Sequence, residues 1–365
     1  MTPFDHSRLR VFPLAERRSL TRVEDILIAT DAPVPSLPGP VMEAVDRTAR
    51  DIRRAREHGA SVMLIYGAHL LRNGAALLLD QLMAGGWLTH LATNGAGTIH
   101  DWEYAWLGRS TEKVEDNVAT GTFGAWDETG RNLHLALLAG GLRQEGYGQA
   151  LGRFIAEDGC TLPPAEELAM MISSFPADPV ASAAVDLYTA MHRHSLEPGR
   201  HEIVHRWKQA SILASAFHHD VPITVHPGIG YDIVACHPMF NGAVIGRAAE
   251  LDFKRFSASV DGLDNGVVLS IGSAIMGPQV FEKSLSCVHN LRRQDGRPNV
   301  TGHSLHVVDL QDGGGWDWTQ GEPPKSNPAY YLRFCKSYSR MGGTMHYVQA
   351  DNAAFVHALA RELTR

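Results

Sequence analysis

Twice within its first hundred residues this chain repeats one short pattern: an apolar run, a glycine turn, then residues at helical spacing. "SVMLIYG" (61–67) leads into "GAALLLDQLMAGG", and "WLTHLAT" (87–93) leads into "NGAGTIHDWE". Strand, glycine turn and helix in succession give a parallel sheet with helical crossovers, because parallel neighbours cannot be joined by a tight hairpin. Further strand-like runs follow in "VPITVHPG" (221–228), "GVVLSIGSA" (266–274) and "HSLHVVDL" (303–310). The spacing of "VMEAVDRTARDIRRAREHG" predicts a helix from Val41 that stops at Gly59, where a C-terminal glycine belongs. The fold class expected is therefore α/β, a Rossmann-like parallel sheet flanked by helices. Residues 1–40, rich in proline and charge, read as an irregular arm. Residues 41–365 read as one α/β domain with a helical insertion around 131–215. "QDGGGWDWTQGEPPKSNPAYY" reads as a long ordered loop of the kind that tends to carry function.

At 44% hydrophobic residues, a chain of 365 can bury a large core. Its net charge of −7 argues against a general nucleic-acid surface and is compatible with a cationic small molecule. The four cysteines (160, 236, 287 and 335) are widely spaced with no CxxC, which suits reduced thiols. No run of eighteen apolar residues occurs and the N-terminus lacks a signal-like core, so a cytoplasmic protein with no membrane partner is expected.

Three features carry chemistry. The first is the set of glycines at the ends of apolar runs, which let a backbone approach a phosphate or ribose. Gly67, Ala68 and His69, then Asn94, Gly95, Ala96 and Gly97, then Gly228, and then Gly272 and Ser273 make a candidate cofactor crevice. Among the polar residues beside them, His100, Asp101, Glu103, His226, Asp232 and His237 could present donors and carboxylates to an amine. The second is "HEIVH" (201–205), which on a helix would set two imidazoles on one face with Glu202 as general base, and His218, His219 or Asp220 as a further zinc ligand. A polar helix start is its plainer reading. The third is Lys336 in "YYLRFCKSYS". Held against aromatic walls, a lysine loses charge and becomes a nucleophile; otherwise it is a surface lysine.

The order of these segments resembles the deoxyhypusine synthase family. "SVMLIYGAHLLRNGAALLLDQLMAGGWLTHLATNGAGTIHDWEYAW" is similar to that family's cofactor region, and "VPITVHPGIGYDIVACHP" to its strand and turn ending in aspartate. "GVVLSIGSAIMG" is similar to its "ILGGGVVK" turn, and "QADNAAFVHALARELT" to its last helix. The resemblance covers roughly residues 55–110 and 210–365. It implies NAD at the strand ends, with Asp312 added to the cofactor residues, a homotetramer, and transfer of an aminoalkyl group from a spermidine-type polyamine through a lysine imine to a protein lysine or small amine. Lys336 in "FCK" takes the place of the lysine in the family's "WGK", and Asp232 and His237 match its turn. Where the family has "VVKHH", this chain has "IMGPQ", and His100 and Asp101 stand where the family has acids. "GAGTIHDWE" is equally similar to the "GNALAVHDIE" of NAD-dependent ornithine cyclodeaminases, which implies the alternative of a redox-neutral loss of ammonia. A zinc hydrolase built on "HEIVH", and an inert NAD-binding protein, complete the readings.

Overall fold

The computed structural model describes residues 4–174 and 176–365. The first three residues of the expected arm, and Phe175 within the expected helical insertion, lie outside the described residues. The chain divides into two compact units. Unit 1 contains residues up to Ile26 together with Thr98–His218 and Pro227–Asp252, and unit 2 contains Leu27–Gly97, His219–His226 and Phe253–Arg365.

Unit 2 is built on a six-stranded sheet: β1 (Val62–Tyr66), β2 (His90–Thr93), β3 (Ile223–Val225), β4 (Val267–Ile271), β5 (Ser304–Asp309) and β6 (Thr344–Gln349). All neighbours are parallel, and the order across the sheet is β6-β5-β4-β1-β2-β3. This is the order of doubly wound dinucleotide-binding sheets, so the Rossmann-like α/β expectation stands. Each residue of β1 and β4 is buried, which is why these strands read as unbroken apolar runs rather than alternating ones.

Helix Gly39–Glu57 buries Val41, Ala44, Val45, Thr48, Ala49, Ile52 and Ala55, the i, i+3, i+4 stripe expected of a helix lying on other structure. It ends before Gly59, whose φ of +67° is the left-handed stop read from the sequence. The core joins Met63, Ile65 and Val268 of the sheet to Phe256, Phe281, Phe334 and Tyr338. Each such side chain contributes about 1.5–3 kcal/mol by leaving water. The Gly- and Pro-rich segment is an ordered connection with two short turns, Trp318–Gln320 and Pro328–Tyr331, and Trp318 is buried in that core. β6 is the strand that the sequence reading passed over. "TMHYVQ" shows neither an apolar run nor clean alternation, because at the sheet edge only Met345 and Val348 are buried.

Unit 1 is mainly helical, with Asp127–Gly141, Tyr147–Ala156, Pro179–His194 and Ile212–His218 among its helices. An antiparallel pair, Gly159–Leu162 with Gly199–Glu202, interrupts the region read as helical. The arm residues up to Ile26 belong to this unit and are anchored in it, with Leu14 fully buried and Arg17 nearly so.

Candidate functional site

In unit 2 the strand order reverses between β1 and β4, and the register sets Tyr66 beside Ile271. The two turns that follow, Gly67-Ala68 and Gly272-Ser273-Ala274, therefore lie side by side at the carboxyl ends of the central strands. A crevice at such a reversal is the general ligand position in open parallel sheets. Gly67 donates its N–H to Ile271 (3.2 Å), and Gly272 donates to Val308 (3.0 Å). The turns are so close that a Cβ on Gly67 would lie 2.1 Å from the carbonyl oxygen of Gly272. Gly67 is thus required by backbone packing between the strands, a role that differs from direct approach to a ligand.

The same turns carry no side chain longer than a hydroxymethyl group. Ser273 Oγ accepts the N–H of Gly277 (3.1 Å) at the start of helix Met276–Gln294, which leaves its own proton to donate. Ile275, 76% exposed, is an apolar side chain directly after these turns that the sequence reading did not single out. Its only sequence signal is an isoleucine directly after a turn of small residues. His69 is exposed at the β1 end. "IMGPQ" has a packing reason: a Cβ on Gly277 would lie 2.6 Å from the hydroxyl of Tyr338.

At the end of β2, Asn94 precedes helix Gly95–Leu107 and its side-chain oxygen accepts the N–H of Gly97 (3.0 Å). Gly97 permits close packing on the strand, since a Cβ there would lie 2.3 Å from Thr93 Oγ1. Ala96 lies between them in this first turn. Past β5, Asp312 uses its carboxylate to accept the N–H of Gly314 (2.9 Å), a local turn.

Lys336 also belongs to unit 2, on helix Arg333–Ser339. Its Nζ lies 3.7 Å from Glu322 Oε1 and 3.6 Å from the centroid of the Tyr330 ring. A carboxylate and a ring face both engage a charged ammonium. The aromatic contact is present as expected, but it comes with a carboxylate rather than the apolar surroundings that would make a neutral nucleophile.

The remaining residues, His226 excepted, belong to unit 1. Asp101 is 1% exposed, and its Oδ2 accepts the N–H groups of Ile212 (2.7 Å) and Leu213 (3.3 Å), while Ser211 Oγ donates to Oδ1. It caps helix Ile212–His218 from more than a hundred residues away. Glu103, fully buried, receives both guanidinium nitrogens of Arg17 (2.8 and 2.6 Å), Thr129 Oγ1 (2.9 Å) and Ser110 Oγ. Because Ser110 donates to that carboxylate, its oxygen accepts from His100 Nδ1 (2.7 Å). These two acids hold the fold together.

Asp232 is buried, its Oδ2 accepts the N–H of Gly228 (2.7 Å), and burial pushes its carboxyl up to about 6. His237 accepts the N–H of Met239 through Nδ1 (3.1 Å), lies 3.5 Å from Asp127 through Nε2 and stacks on His134. Burial lowers its proton affinity. His226 falls in unit 2, also buried, where Thr224 Oγ1 lies 3.1 Å from its Nε2.

Burial likewise raises Asp101 to about 7, against three hydrogen bonds that lower it. Between about pH 4 and pH 7 the folded chain then holds a proton that the unfolded chain has released. This carboxyl's contribution to stability therefore falls as pH rises through that window, by up to about 1.4 kcal/mol per pH unit. Urea melts of the parent and Asp101→Asn at pH 4, 5.5 and 7 should differ by a quantity with this slope. A flat difference would show that the three donors keep the carboxylate ionised.

The zinc reading is corrected by the fold. "HEIVH" begins on strand Gly199–Glu202, where chain extension carries residues i and i+4 apart instead of placing them one helical turn above each other. His201 Nε2 bonds the carbonyl of Glu197 (2.7 Å), and His205 is buried against the rings of Trp102 and Phe154. His219 lies 2.8 Å from Asp80. Among the described residues no three His, Cys, Asp or Glu side chains are grouped as metal ligands. No helix among them is long and apolar enough to cross a membrane.

No family model matches the sequence, and no curated protein does. Among solved structures, the chain is similar to unliganded AgrE at 14% identity and a TM-score of 0.43, over 90% of this chain and 34% of that one. It is similar to ArgZ, an arginine dihydrolase from the ornithine–ammonia cycle in cyanobacteria, at 14% identity and a TM-score of 0.40, over 91% and 32% of the two chains. It is also similar to a putative LOR/SDH protein of Methanococcus maripaludis S2, at 12% identity and a TM-score of 0.41, over 97% and 76%. The chain spans about one third of the length of AgrE and ArgZ. One AgrE structure is a ternary complex with ornithine and NAD+. These findings correct the deoxyhypusine synthase resemblance, and with it spermidine, polyamine and aminoalkyl transfer through Lys336. The structures named are arginine- and ornithine-related or LOR/SDH proteins, and no family model ties the sequence to the synthase. The ion pair of Lys336 with Glu322 gives the physical side of the same correction.

Proposed function

We propose that unit 2 binds a nicotinamide adenine dinucleotide across the carboxyl ends of β1 and β4, and that the protein is an enzyme using it in a redox-neutral, ornithine cyclodeaminase-like reaction on a small amine. The observation that supports the cofactor is the reversal of strand order between β1 and β4. Two loops leaving in opposite directions from adjacent strands open a crevice there. The residues present fit such a group. Gly67, Ala68, Gly272 and Ala274 keep the opening low, Ser273 has a hydroxyl proton to donate, and the exposed Ile275 offers an apolar surface for a ring. Asn94 to Gly97 add the start of a helix at the neighbouring strand end. When bound, a nicotinamide can accept a hydride and return it, so no net oxidant is needed. The chain's own part is to orient the cofactor and keep water from the transferred hydride.

Ornithine is the first substrate to try, at the acceptor-free loss of ammonia. Calorimetric titration should show NAD+ binding at one site per chain, and ornithine should release ammonia only when NAD+ is present, with no net formation of NADH. Absence of binding at millimolar NAD+ overturns the cofactor reading. Binding without turnover of ornithine or other small amines overturns the reaction and leaves the cofactor.

A further inference from the structure

Unit 2 contains the succession of strand, glycine turn, helix and strand twice, and only one copy ends in an acid. β1 leads through Gly67 and the helices Ala68–Arg72 and Ala76–Ala84 to β2, which ends at Thr93 and is followed by Asn94. β4 leads through Gly272-Ser273-Ala274 and helix Met276–Gln294 to β5, whose last residue is Asp309. In dinucleotide-binding halves of this kind the glycine turn carries the pyrophosphate, and an acid at the end of the next strand takes the hydroxyls of the adenosine ribose. The two halves are therefore not equivalent toward a dinucleotide.

The turn after β4 has the matching parts. "GSAIMG" (272–277) carries glycine at the first and last positions of the G-x-G-x-x-G pattern. Gly272 makes the tight turn, with a φ of +59°. Gly277 lets the helix lie close on the sheet, since a Cβ there would be 3.1 Å from Ile65 Cγ2 of β1. The middle glycine, which admits the pyrophosphate, is replaced by Ala274, the smallest substitute.

Asp309 stands directly beside that turn. Gly272 donates its N–H to the carbonyl oxygen of Val308 (3.0 Å), so the acid follows the residue to which the turn is tied. Leu305 and Val307 of β5 share the core with Phe281 and Leu285 of helix Met276–Gln294, and strand alternation puts Asp309 on that same face. The side chain is half-buried, and its Oδ1 accepts the N–H of Gln311 (3.1 Å). Its Oδ2 has no hydrogen bond or ion pair among the described residues and is not one of their enclosed polar atoms, so it meets solvent with its charge uncompensated. The sequence spacing hides this residue: the helix alone takes 19 residues, which carries the acid well beyond the usual distance of about 20 residues from the glycines.

We infer that a bound dinucleotide lies with its adenosine half over β4 and β5 and its nicotinamide end toward β1 and β2, and that Asp309 accepts the adenosine ribose hydroxyls and selects NAD+ over NADP+. This rests on the dinucleotide reading above. A 2′-phosphate would bring a second negative group to a place where Asp309 already has one. From Asp309 to Gly315 the chain offers no lysine or arginine to take it, and Asp312 adds a further carboxylate. Like charges a few ångströms apart and partly withdrawn from water repel strongly enough for a preference of tenfold or more.

Calorimetric titration of the full chain with NAD+ and with NADP+ tests this in the parent, Asp309→Asn and Asp309→Ser. The two dinucleotides differ only at the adenosine 2′ position, so a change in the ratio of their affinities reports on that position alone. The parent should bind NAD+ at least tenfold more tightly than NADP+. Either variant should narrow the ratio at least tenfold, losing affinity for NAD+ and gaining it for NADP+. Both replacements keep an oxygen for the N–H of Gln311, and a thermal melt near the parent's identifies a folded variant. A parent that binds NADP+ as tightly as NAD+ overturns the inference and leaves the dinucleotide reading standing. So does a folded variant in which the ratio is unchanged, whether both affinities are kept or both fall together. Absence of binding of either dinucleotide at millimolar concentration overturns the dinucleotide reading and this inference with it.

Discussion

Arg17→Leu is expected to cost about 3–5 kcal/mol of unfolding free energy, the usual result of removing one member of a buried ion pair. The Arg17 and Glu103 side chains are 2% and 0% exposed, and the guanidinium meets the carboxylate through two nitrogens. Without it, Glu103 keeps only the hydroxyls of Thr129 and Ser110, which carry no compensating charge. The variant also loses the contact of the guanidinium with the Trp126 ring at 5.6 Å. The measurement is urea unfolding at neutral pH for the parent, Arg17→Leu, Glu103→Leu and the double variant. The double variant should be less destabilised than the two single costs added together, because once one charge is gone the other is the problem. A cost below about 1 kcal/mol for Arg17→Leu would mean that water reaches Glu103, contrary to its burial.

Gly67→Val should abolish dinucleotide binding, by at least a hundredfold, and lower stability by about 1–3 kcal/mol through overpacking. The added Cβ would sit 2.1 Å from the carbonyl oxygen of Gly272. That atom belongs to the backbone at the end of β4, so it cannot rotate away as a side-chain tip would. The carboxyl ends of β1 and β4 must separate, and these ends define the proposed crevice. Gly39→Ala is the control, since nothing lies within 4 Å of the added atom there. Titration with NAD+ and a thermal melt read both effects. Retained affinity in Gly67→Val would place the cofactor elsewhere.

Much of the fold was legible in the sequence, for a reason visible in β1 and in helix Gly39–Glu57. The strand is buried on both faces and so reads as an unbroken apolar run, while the helix buries one stripe and reads with its period. β6 was not legible, because an edge strand with two buried residues has no such pattern. Of the candidate site, the position of glycines at strand ends was legible, but the packing that requires them was not. Gly67 and Gly97 answer to a carbonyl and a threonine side chain that the sequence cannot place beside them.

What the sequence determined by itself was local: which segments form the strands β1 to β5 and the helix Gly39–Glu57, where several of them stop, and that strands alternate with helices in the manner of a parallel sheet. Periodicity and turn chemistry act over a few residues, and they are written in adjacent letters. The tertiary structure alone decided the order β6-β5-β4-β1-β2-β3, and with it the place where the strand order reverses. It decided that "HEIVH" starts on a strand paired with Gly159–Leu162, and that Lys336 meets Glu322. It also decided that Asp101 caps a helix 111 residues further along the chain. Each of these depends on which distant group reaches a given side chain once water has been excluded, and contact between distant groups leaves no periodic trace in the sequence.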